Sequence, residues 1–243
     1  MDGGIVISHL TKKYGDLTAV DDLTLTIGKG ELFALLGVNG AGKTTTVRML
    51  SGLTRPTDGD ALVGGKSIVR QPLAVKELIG LSPQETAVAP NLTARENLLF
   101  MAGAHGLGKA EVRARAEEVT QMLDLGEVLS RKAKTLSGGW ARRLSIAMAL
   151  ISRPEVLFLD EPTLGLDVLA RSALWDTVRS LTGVTIVLTT HYMEEAEALA
   201  DRVGVMAKGR LLCTGTAAEL KTRAGTDRFE DAFVTIVKEA GVV

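Results

Sequence analysis

A glycine-rich stretch in the first quarter of the chain constrains the fold more than any other feature. The apolar run Leu32–Leu36 leads into the loop Gly37–Thr45, and a helical pattern through Val47, Met49 and Leu50 follows. This order of strand, G-x-x-x-x-G-K-[ST] loop and helix is the context that a phosphate-binding loop requires. The glycines let successive backbone N–H groups turn inward around an anion, and the helix N-terminus adds partial positive charge.

Two side chains of the loop carry its predicted chemistry. Lys43 would reach the β- and γ-phosphates of a nucleotide, and the hydroxyl of Thr44 would bind Mg²⁺. The alternative is a glycine-rich turn that merely carries a lysine, but the complete motif favours nucleoside triphosphate binding. The residues predicted to form the nucleotide-binding loop are Gly37, Asn39, Gly40, Gly42, Lys43, Thr44 and Thr45.

The balance of charges argues against a nucleic-acid partner. The 243 residues include 28 Lys and Arg against 29 Asp and Glu, which gives a net charge of −1. There is therefore no global basic field to hold nucleic acid, and an aromatic content of 4% offers few surfaces on which bases stack. The single cysteine, Cys213, has no internal partner for a disulfide, which is typical of a reducing compartment.

The distribution of apolar residues predicts one large, soluble domain in the cytoplasm. The start Met1–Ile5 has neither the basic segment nor the apolar segment of a signal peptide. No run of the sequence approaches the roughly 18 apolar residues that span a bilayer. The chain is long enough to bury a substantial core in a single domain.

A second predicted anion site lies about a hundred residues after the loop. Ser137, Gly138 and Gly139 stand at the start of a helical pattern that continues through Leu144 and Met148. A serine and two glycines at a helix N-terminus suit anion binding, although an ordinary serine-capped helix fits the same spacing. A chain with one nucleotide has no evident use for a second site, unless that site serves another molecule.

Two acids follow the apolar run Val156–Leu159 at its carboxyl end. Open parallel sheets bind ligands at that edge, so Asp160 is predicted to hold Mg²⁺ and Glu161 to orient or deprotonate the attacking water. Acids at a strand end are otherwise usually solvated. In combination with the phosphate loop, the functional interpretation is preferred.

Four further candidate residues are indicated less strongly by the local sequence pattern. His191 follows another strand pattern, Val184–Leu188, and so points to the same edge of the sheet. Gln84, just after the strand-like apolar run Leu78–Leu81, is placed to touch a metal or a water. Tyr14 would either pack in a core or stack on a purine, and the residues alone favour the core. Asp167 is a candidate N-cap of the next helix.

The spacing of a capping box marks two other helix starts. In one the pair is Thr93 with Glu96, and in the other it is Thr216 with Glu219. We expect a helix to begin at each threonine.

Taken together, the Gly37–Thr45 loop, the segment Leu136–Gly139 and the run Asp160–Thr163 closely resemble the ATP-binding subunits of ABC transporters, in order and approximate spacing. The resemblance covers nearly the whole chain. It implies an α/β fold with a P-loop NTPase core, in which a RecA-like, mostly parallel sheet is joined by an antiparallel β subdomain and a helical signature subdomain. The implied arrangement is a single domain over 1–243. Its bounds are about 1–30 and 58–72 for the β subdomain, about 88–150 for the helical subdomain and about 216–243 for a helical tail, with the remainder forming the ATP-binding core.

The resemblance also implies roles for individual residues. ATP and Mg²⁺ are the implied ligands, with Thr44, Gln84 and Asp160 at the metal and Glu161, His191, Lys43 and Gln84 in catalysis. Tyr14 resembles the aromatic residue that stacks on adenine, which reverses the preference for the core. Gln84 resembles the residue that also relays the nucleotide state to a membrane partner. Asp167 matches the D-loop acid.

The segment Ser137–Gly139 resembles the signature that binds the γ-phosphate of an ATP held by the opposite subunit. Two copies, or this chain and a related subunit, would then pair head-to-tail around two ATP molecules. A separate transmembrane permease is the other implied partner, and it would attach the chain to the inner face of the membrane. Trp140 departs from the commonest residue of the signature, glutamine, which puts one contact across the pair in doubt. Val38 replaces a frequent proline without an expected cost.

Within the family, two segments are similar to the exporter branch that handles drugs, sodium or lipids: His191–Ala198 and Phe229–Phe233. The stretch after Thr216 has no room for the regulatory domain of many sugar importers. A P-loop kinase would have no use for the signature, and an SMC-type ATPase would carry a long coiled coil before it. A soluble ABC ATPase that acts as an assembly or regulatory partner is the remaining alternative. The transported substrate is not encoded in these motifs.

Overall fold

The computed structural model describes residues 4–106 and 108–241 and has two sheets with helices packed around them. The strands are β1 (Ile5–Tyr14), β2 (Leu17–Ile27), β3 (Leu32–Leu36), β4 (Asp58–Val63), β5 (Lys66–Ser67), β6 (Ile79–Ser82), β7 (Val156–Asp160), β8 (Thr185–Thr190), β9 (Arg202–Ala207) and β10 (Arg210–Gly215). The helices are α1 (Lys43–Leu50), α2 (Pro72–Leu78), α3 (Ala94–Ala104), α4 (Lys109–Met122), α5 (Gly138–Leu150), α6 (Val168–Ser180), α7 (Met193–Leu199), α8 (Ala217–Ala224) and α9 (Phe229–Glu239). The predicted α/β class is confirmed.

The central sheet gathers the predicted site residues at one edge. Its six strands lie in the order β10-β9-β3-β8-β7-β6, and all of its pairings are parallel except that of β10 with β9. In the register of β3, β8 and β7, Leu36 lies opposite Thr190, and Asp160 lies opposite Thr189. The loops that follow these strands therefore leave the sheet side by side, as is usual for ligand sites of parallel sheets.

The second sheet is antiparallel, has the order β2-β1-β4-β5, and covers one face of the central sheet. The buried residues between the two sheets include Ile5 and Ile7 of β1, Phe33 of β3, and Val47 and Met49 of α1. Helix α1 is thus held between the two layers, which fixes its N-terminus at the end of β3.

Helix α5 packs against β6 and β7 on the opposite face of the central sheet, and α3 and α4 pack against α5. Helices α3, α6 and α8 begin at residues whose side chains cap them. The hydroxyl of Thr93 accepts a hydrogen bond from Glu96 N–H, while the Glu96 carboxylate accepts one from Thr93 N–H, so the predicted capping box is confirmed. The predicted N-cap Asp167 accepts from Ala170 N–H at 2.9 Å. A second predicted capping box, Thr216 with Glu219, starts α8.

One short helix has no counterpart in the sequence analysis. Helix α2 buries only Val75, so it lacks the apolar spacing by which amphipathic helices are recognised. It ends at Leu78, where the sequence pattern already indicated a strand, and β6 begins one residue later. Among the described residues, no helix combines the length and the apolar character needed to cross a bilayer.

Candidate functional site

A cavity of about 770 Å³ opens where the phosphate loop meets the ends of the central strands. The loop supplies its floor, the antiparallel sheet supplies one wall, and the residues after β6, β7 and β8 supply the other. The residues lining it are Tyr14, Leu17, Thr18, Ala19, Asn39, Gly40, Ala41, Gly42, Lys43, Thr44, Thr45, Gln84, Glu161, Leu164, His191 and Lys208.

Lys43 lies buried at the base of this cavity. Its Nζ donates hydrogen bonds to the carbonyl oxygens of Gly37, at 2.7 Å, and Val38, at 3.3 Å, and lies 3.4 Å from Oε1 of Glu161. Burial lowers the pKa of Lys43, while the charges of Glu161 and Asp160 act in the opposite direction. The ammonium is therefore held in place inside the loop by groups of the same chain.

Two glycines of the loop are required by close backbone contacts. Gly42 has a φ of 101°, and a Cβ there would lie 2.5 Å from the carbonyl oxygen of Ala19. A Cβ on Gly37 would lie 2.4 Å from the carbonyl oxygen of Met206. Any side chain at either position would force the loop away from β2 or β9, because these neighbours are backbone atoms that cannot rotate aside.

Asp160 and Thr44 come together from distant parts of the chain. Oδ1 of Asp160 accepts a hydrogen bond from the Thr44 hydroxyl at 3.0 Å and another from the Thr189 hydroxyl at 2.5 Å. A hydroxyl and a carboxylate are hard oxygen ligands of the kind Mg²⁺ prefers, and Mg²⁺ needs only one or two carboxylates when phosphates and waters complete its shell. The residues present therefore fit a magnesium ion beside the phosphate loop.

Glu161 connects the phosphate loop to His191. Its Oε2 lies 2.8 Å from Nδ1 of His191, and its Oε1 faces Lys43. The backbone of Glu161 has a φ of 47°, which is unusual for a residue with a side chain, and its N–H donates to the carbonyl oxygen of Thr189 at 3.1 Å. The turn after β7 is thus anchored so that one buried carboxylate contacts both Lys43 and His191.

Tyr14 and Gln84 both line the cavity without being buried. The Tyr14 side chain is 46% exposed, and Nζ of Lys12 lies 4.9 Å from the centre of its ring. The core position that the residues alone favour for Tyr14 is therefore wrong, because β1 ends beyond the edge of the packed layer. Stacking on adenine stays a prediction for Tyr14, as does metal contact for Gln84.

The segment Ser137–Gly139, here called the signature tip, does not line this cavity. Ser137 is the N-cap residue of α5, yet within the described chain its hydroxyl makes no capping hydrogen bond. A Cβ on Gly138 would lie 3.3 Å from Cδ2 of Leu166, and one on Gly139 would lie 3.3 Å from Cβ of Ala170, so the glycines let α5 approach the D-loop segment around Asp167. The ordinary capping interpretation is thereby disfavoured, and the tip presents an unused hydroxyl at the surface.

Two groups of functional residues escaped the sequence analysis. Leu17, Thr18 and Ala19 of β2, together with Lys208 in the turn before β10, line the cavity, although nothing local in the sequence marks them. Arg142 of α5 is buried, and its guanidinium binds the backbone beside Gln84. A buried arginine cannot be recognised from the sequence, because the polar position in the helix gives no sign of what covers it.

Comparison with known proteins identifies the wider family. A family model described as "ABC transporter" matches residues 20–164. The daunorubicin resistance ATP-binding protein DrrA3 of Streptomyces coeruleorubidus is 46% identical over 242 residues, which are 99% of this chain and 75% of that protein. The linearmycin resistance ATP-binding protein LnrL of Bacillus subtilis (strain 168) is 42% identical over 237 residues, 97% of this chain and 76% of its relative.

Solved structures agree in fold. A structure of an ATP-binding subunit of an ABC transporter superposes with a TM-score of 0.83 at 27% identity, covering 96% of this chain and 99% of that one. A dimeric post-hydrolysis state of the ATP-binding cassette MJ0796, bound to ADP and Pi, gives a TM-score of 0.77 at 26% identity over 87% of this chain and 98% of that one.

Proposed function

The chain belongs to the ABC transporter family as an ATP-binding, ATP-hydrolysing subunit, and we propose that it drives export through a separate membrane-spanning partner. The observation that supports the catalytic part of this proposal is the position of Glu161. Its buried carboxylate lies between Lys43 and His191, at the wall of the cavity that the phosphate loop forms. A carboxylate placed between an ammonium group and an imidazole at a nucleotide site suits a group that handles the attacking water.

The nucleotide would occupy this cavity with its phosphates on the loop and its base toward Tyr14. The backbone N–H groups of the loop and the N-terminus of α1 would hold the phosphates, and Lys43 would neutralise charge on the β- and γ-phosphates. Thr44 and Asp160 would hold Mg²⁺, with Gln84 reaching it or a water from the segment after β6. When bound, Mg²⁺ would neutralise part of the negative charge that develops on the phosphates.

Hydrolysis would then proceed by positioning and charge stabilisation. Glu161 orients a water and accepts its proton as the oxygen bonds to the γ-phosphorus, while the bond between the γ-phosphorus and the bridging oxygen breaks to give ADP and phosphate. His191, held by Glu161 through Nδ1, keeps the other side of its ring for the γ-phosphate. Lys43 stabilises the negative charge that moves onto the leaving oxygen.

A second copy, or a related subunit, would complete the site. The signature tip presents Ser137 and two glycines at the start of α5, and none of the three lines the cavity. In a head-to-tail pair, each tip would cover the γ-phosphate in the other subunit's cavity. Loss of the γ-phosphate would remove the contacts that hold the pair together, so binding closes the subunits and hydrolysis releases them.

The cargo we propose is a drug-like small molecule. DrrA3 and LnrL are named for resistance to daunorubicin and to linearmycin, and they match 99% and 97% of this chain. The partner would be a transmembrane permease that holds the chain at the inner face of the membrane. The alternative, a soluble ABC ATPase that assists assembly or regulation, lacks a specific observation in its favour.

The replacement Glu161→Gln tests the motor mechanism directly. It keeps the shape of the side chain and removes the base, so we expect MgATP to bind and the chain to accumulate as a closed dimer. Light scattering with and without MgATP measures the dimer, and phosphate release measures hydrolysis. The matched control is Glu194→Gln, on an exposed carboxylate of α7, which should turn over normally and stay monomeric.

Normal turnover of the Glu161→Gln variant would remove Glu161 from its proposed role. A variant that binds MgATP and stays single at high concentration would refute the head-to-tail mechanism. Export itself is tested by co-expressing the chain with a candidate permease and measuring efflux of a fluorescent anthracycline. Efflux that continues when the chain carries Glu161→Gln would favour the assembly role.

A further inference from the structure

Arg142 joins two parts of the molecule that the proposed mechanism treats separately. It lies on α5, shortly after the signature tip, and its side chain points toward the end of β6 rather than toward solvent. The residue is 5% exposed. Its Nη1 donates to the carbonyl oxygen of Pro83 at 2.6 Å, and its Nη2 donates to that of Gln84 at 2.6 Å.

These contacts have the geometry of a two-point clamp. The two terminal nitrogens of one planar guanidinium bind two successive carbonyl oxygens, so the clamp fixes both the position and the orientation of that peptide. A buried charge is costly unless it is hydrogen-bonded, and here the carbonyls are assisted by the negative charges of Asp160 and Glu195. Burial nevertheless lowers the pKa of Arg142, which reflects how far the guanidinium is removed from water.

The clamp acts on a segment with few other attachments. Just before it, the hydroxyls of Ser82 and Ser145 share a hydrogen bond of 2.9 Å, which again joins β6 to α5. Within the described residues, the next hydrogen bond along this loop joins Ala89 N–H to the Asn97 side chain. The backbone that presents Gln84 to the cavity is therefore attached to α5 and not to its neighbours in the loop.

We propose that Arg142 is a positioning residue that fixes Gln84 to the signature helix, so that Gln84 reaches the nucleotide only where α5 allows it. The inference rests on the proposed role of Gln84. Because the signature tip begins the same helix, any displacement of the tip by the opposite subunit is transmitted to Gln84 through one side chain. In a head-to-tail pair, the signature tip of one subunit covers the partner's cavity. The position of Gln84 in the first subunit would therefore depend on the nucleotide state of the partner's cavity.

A second arginine, Arg115 of α4, provides a matched control because it binds the opposite end of α5. Arg115 is 6% exposed, and it donates to the carbonyl oxygens of Leu150 at 2.5 Å and Ile151 at 3.0 Å, at the other end of α5. It is also a buried guanidinium on two successive carbonyls, but it lies outside the cavity. Replacing either arginine by glutamine should therefore destabilise the fold comparably, and only the loss of Arg142 should change catalysis.

The test compares Arg142→Gln, Arg142→Lys and Arg115→Gln in the purified chain. We expect Arg142→Gln to lower kcat about tenfold while the affinity for a non-hydrolysable ATP analogue stays unchanged, since misplacing one group affects the reaction more than binding. Arg142→Lys, which keeps the charge and one hydrogen bond, should restore part of kcat. Arg115→Gln should lower Tm to a similar extent with kcat retained. Equal kcat in the two glutamine variants would overturn the inference.

Double variants connect the effect to Gln84. If Arg142 acts through Gln84, adding Gln84→Ala to Arg142→Gln should lower kcat no further, whereas Gln84→Ala and Arg115→Gln should act independently. Multiplying effects in the first pair would overturn the inference and leave the proposed function intact. A normal kcat for Gln84→Ala alone would instead refute the role of Gln84 and remove the basis of the inference. If Arg142→Gln fails to fold, the same cycle with Arg142→Lys decides the question.

Discussion

The phosphate-loop cavity and the signature tip are both predicted anion sites, but they are built in opposite ways. In the cavity, Lys43, Asp160 and Glu161 are buried, and each has a hydrogen-bonding or ion-pair partner within the same chain. At the tip, Ser137 is exposed and its hydroxyl leaves the helix uncapped within the described chain. One site is assembled by folding, and the other presents donors that folding does not use.

This difference separates the side chains that are bonded within the chain from those that remain exposed at the tip. Neighbouring apolar side chains on the D-loop segment are also exposed, with Val168 at 75% and Leu169 at 82%. An unused hydroxyl beside exposed apolar residues is typical of a surface that a partner covers. We therefore expect the tip to contact a partner, whereas the buried groups of the cavity are already held within one chain.

The largest effect is expected from a substitution at the base of the cavity. Lys43→Ala removes the ammonium at the base of the loop, so we expect MgATP affinity to fall at least about a hundredfold, as for loss of a buried charged partner. Calorimetry measures the affinity, with Lys66→Ala on the exposed end of β5 as the control. Unchanged affinity would contradict the phosphate-loop assignment.

Damage to the tip should spare binding and stop turnover. Ser137→Glu suits a helix N-terminus, so the fold should persist, but the added charge would repel the partner's triphosphate. We expect unchanged ATP affinity and roughly a hundredfold lower hydrolysis, because an oxyanion-type contact is lost. Lower affinity in the isolated chain would mean that the tip belongs to the same chain's cavity.

Mixing two defective chains sharpens the same comparison. In the Glu161→Gln background, neither the Lys43→Ala chain nor the Ser137→Glu chain should form a dimer with MgATP. A mixture should form dimers, because one chain keeps its loop and the other keeps its tip. Size measurement of the mixture decides this point, and a mixture that stays monomeric would argue against sites shared between copies.

The buried carboxyl group of Glu195 should make the free energy of unfolding depend on pH, whereas the signature tip should not. Glu195 is fully buried, and burial raises its pKa above the ordinary value of 4.5. As pH rises through 4.5, the unfolded chain loses this proton while the folded chain keeps it, so stability falls until the higher folded-state pKa is passed. Glu195→Gln should flatten this part of a urea-unfolding series. A slope that persists would assign the effect to another group.

The smallest effect is expected from removing a single hydroxyl group at the start of a helix, measured as a loss in the free energy of unfolding. Thr93 caps α3 and Ser137 occupies the same position of α5 without a capping bond. Thr93→Ala should therefore lower the free energy of unfolding by about 1 kcal/mol, and Ser137→Ala should cost only a small part of that. Urea unfolding measures both. Equal losses would show that the Ser137 hydroxyl serves the fold.

Local patterns in the sequence predicted the parts of the site that local rules govern. The strand, loop and helix around Lys43, the acids after β7 and the caps at Thr93, Asp167 and Thr216 follow from spacing, because the signal and the structure lie within a few residues of each other. The place of Tyr14 and the short helix α2 did not follow. Their burial depends on distant elements that no local pattern records.

The sequence by itself determined that the chain binds a triphosphate at a strand-to-helix loop and that two acids follow a neighbouring strand. Only the tertiary structure decided that Thr44 and Asp160 meet, that Glu161 bridges Lys43 and His191, and that Arg142 clamps the backbone of Gln84. The reason is physical. Hydrogen-bonding motifs are encoded by neighbours in sequence, whereas the pairing of buried charges depends on which strands the sheet sets side by side.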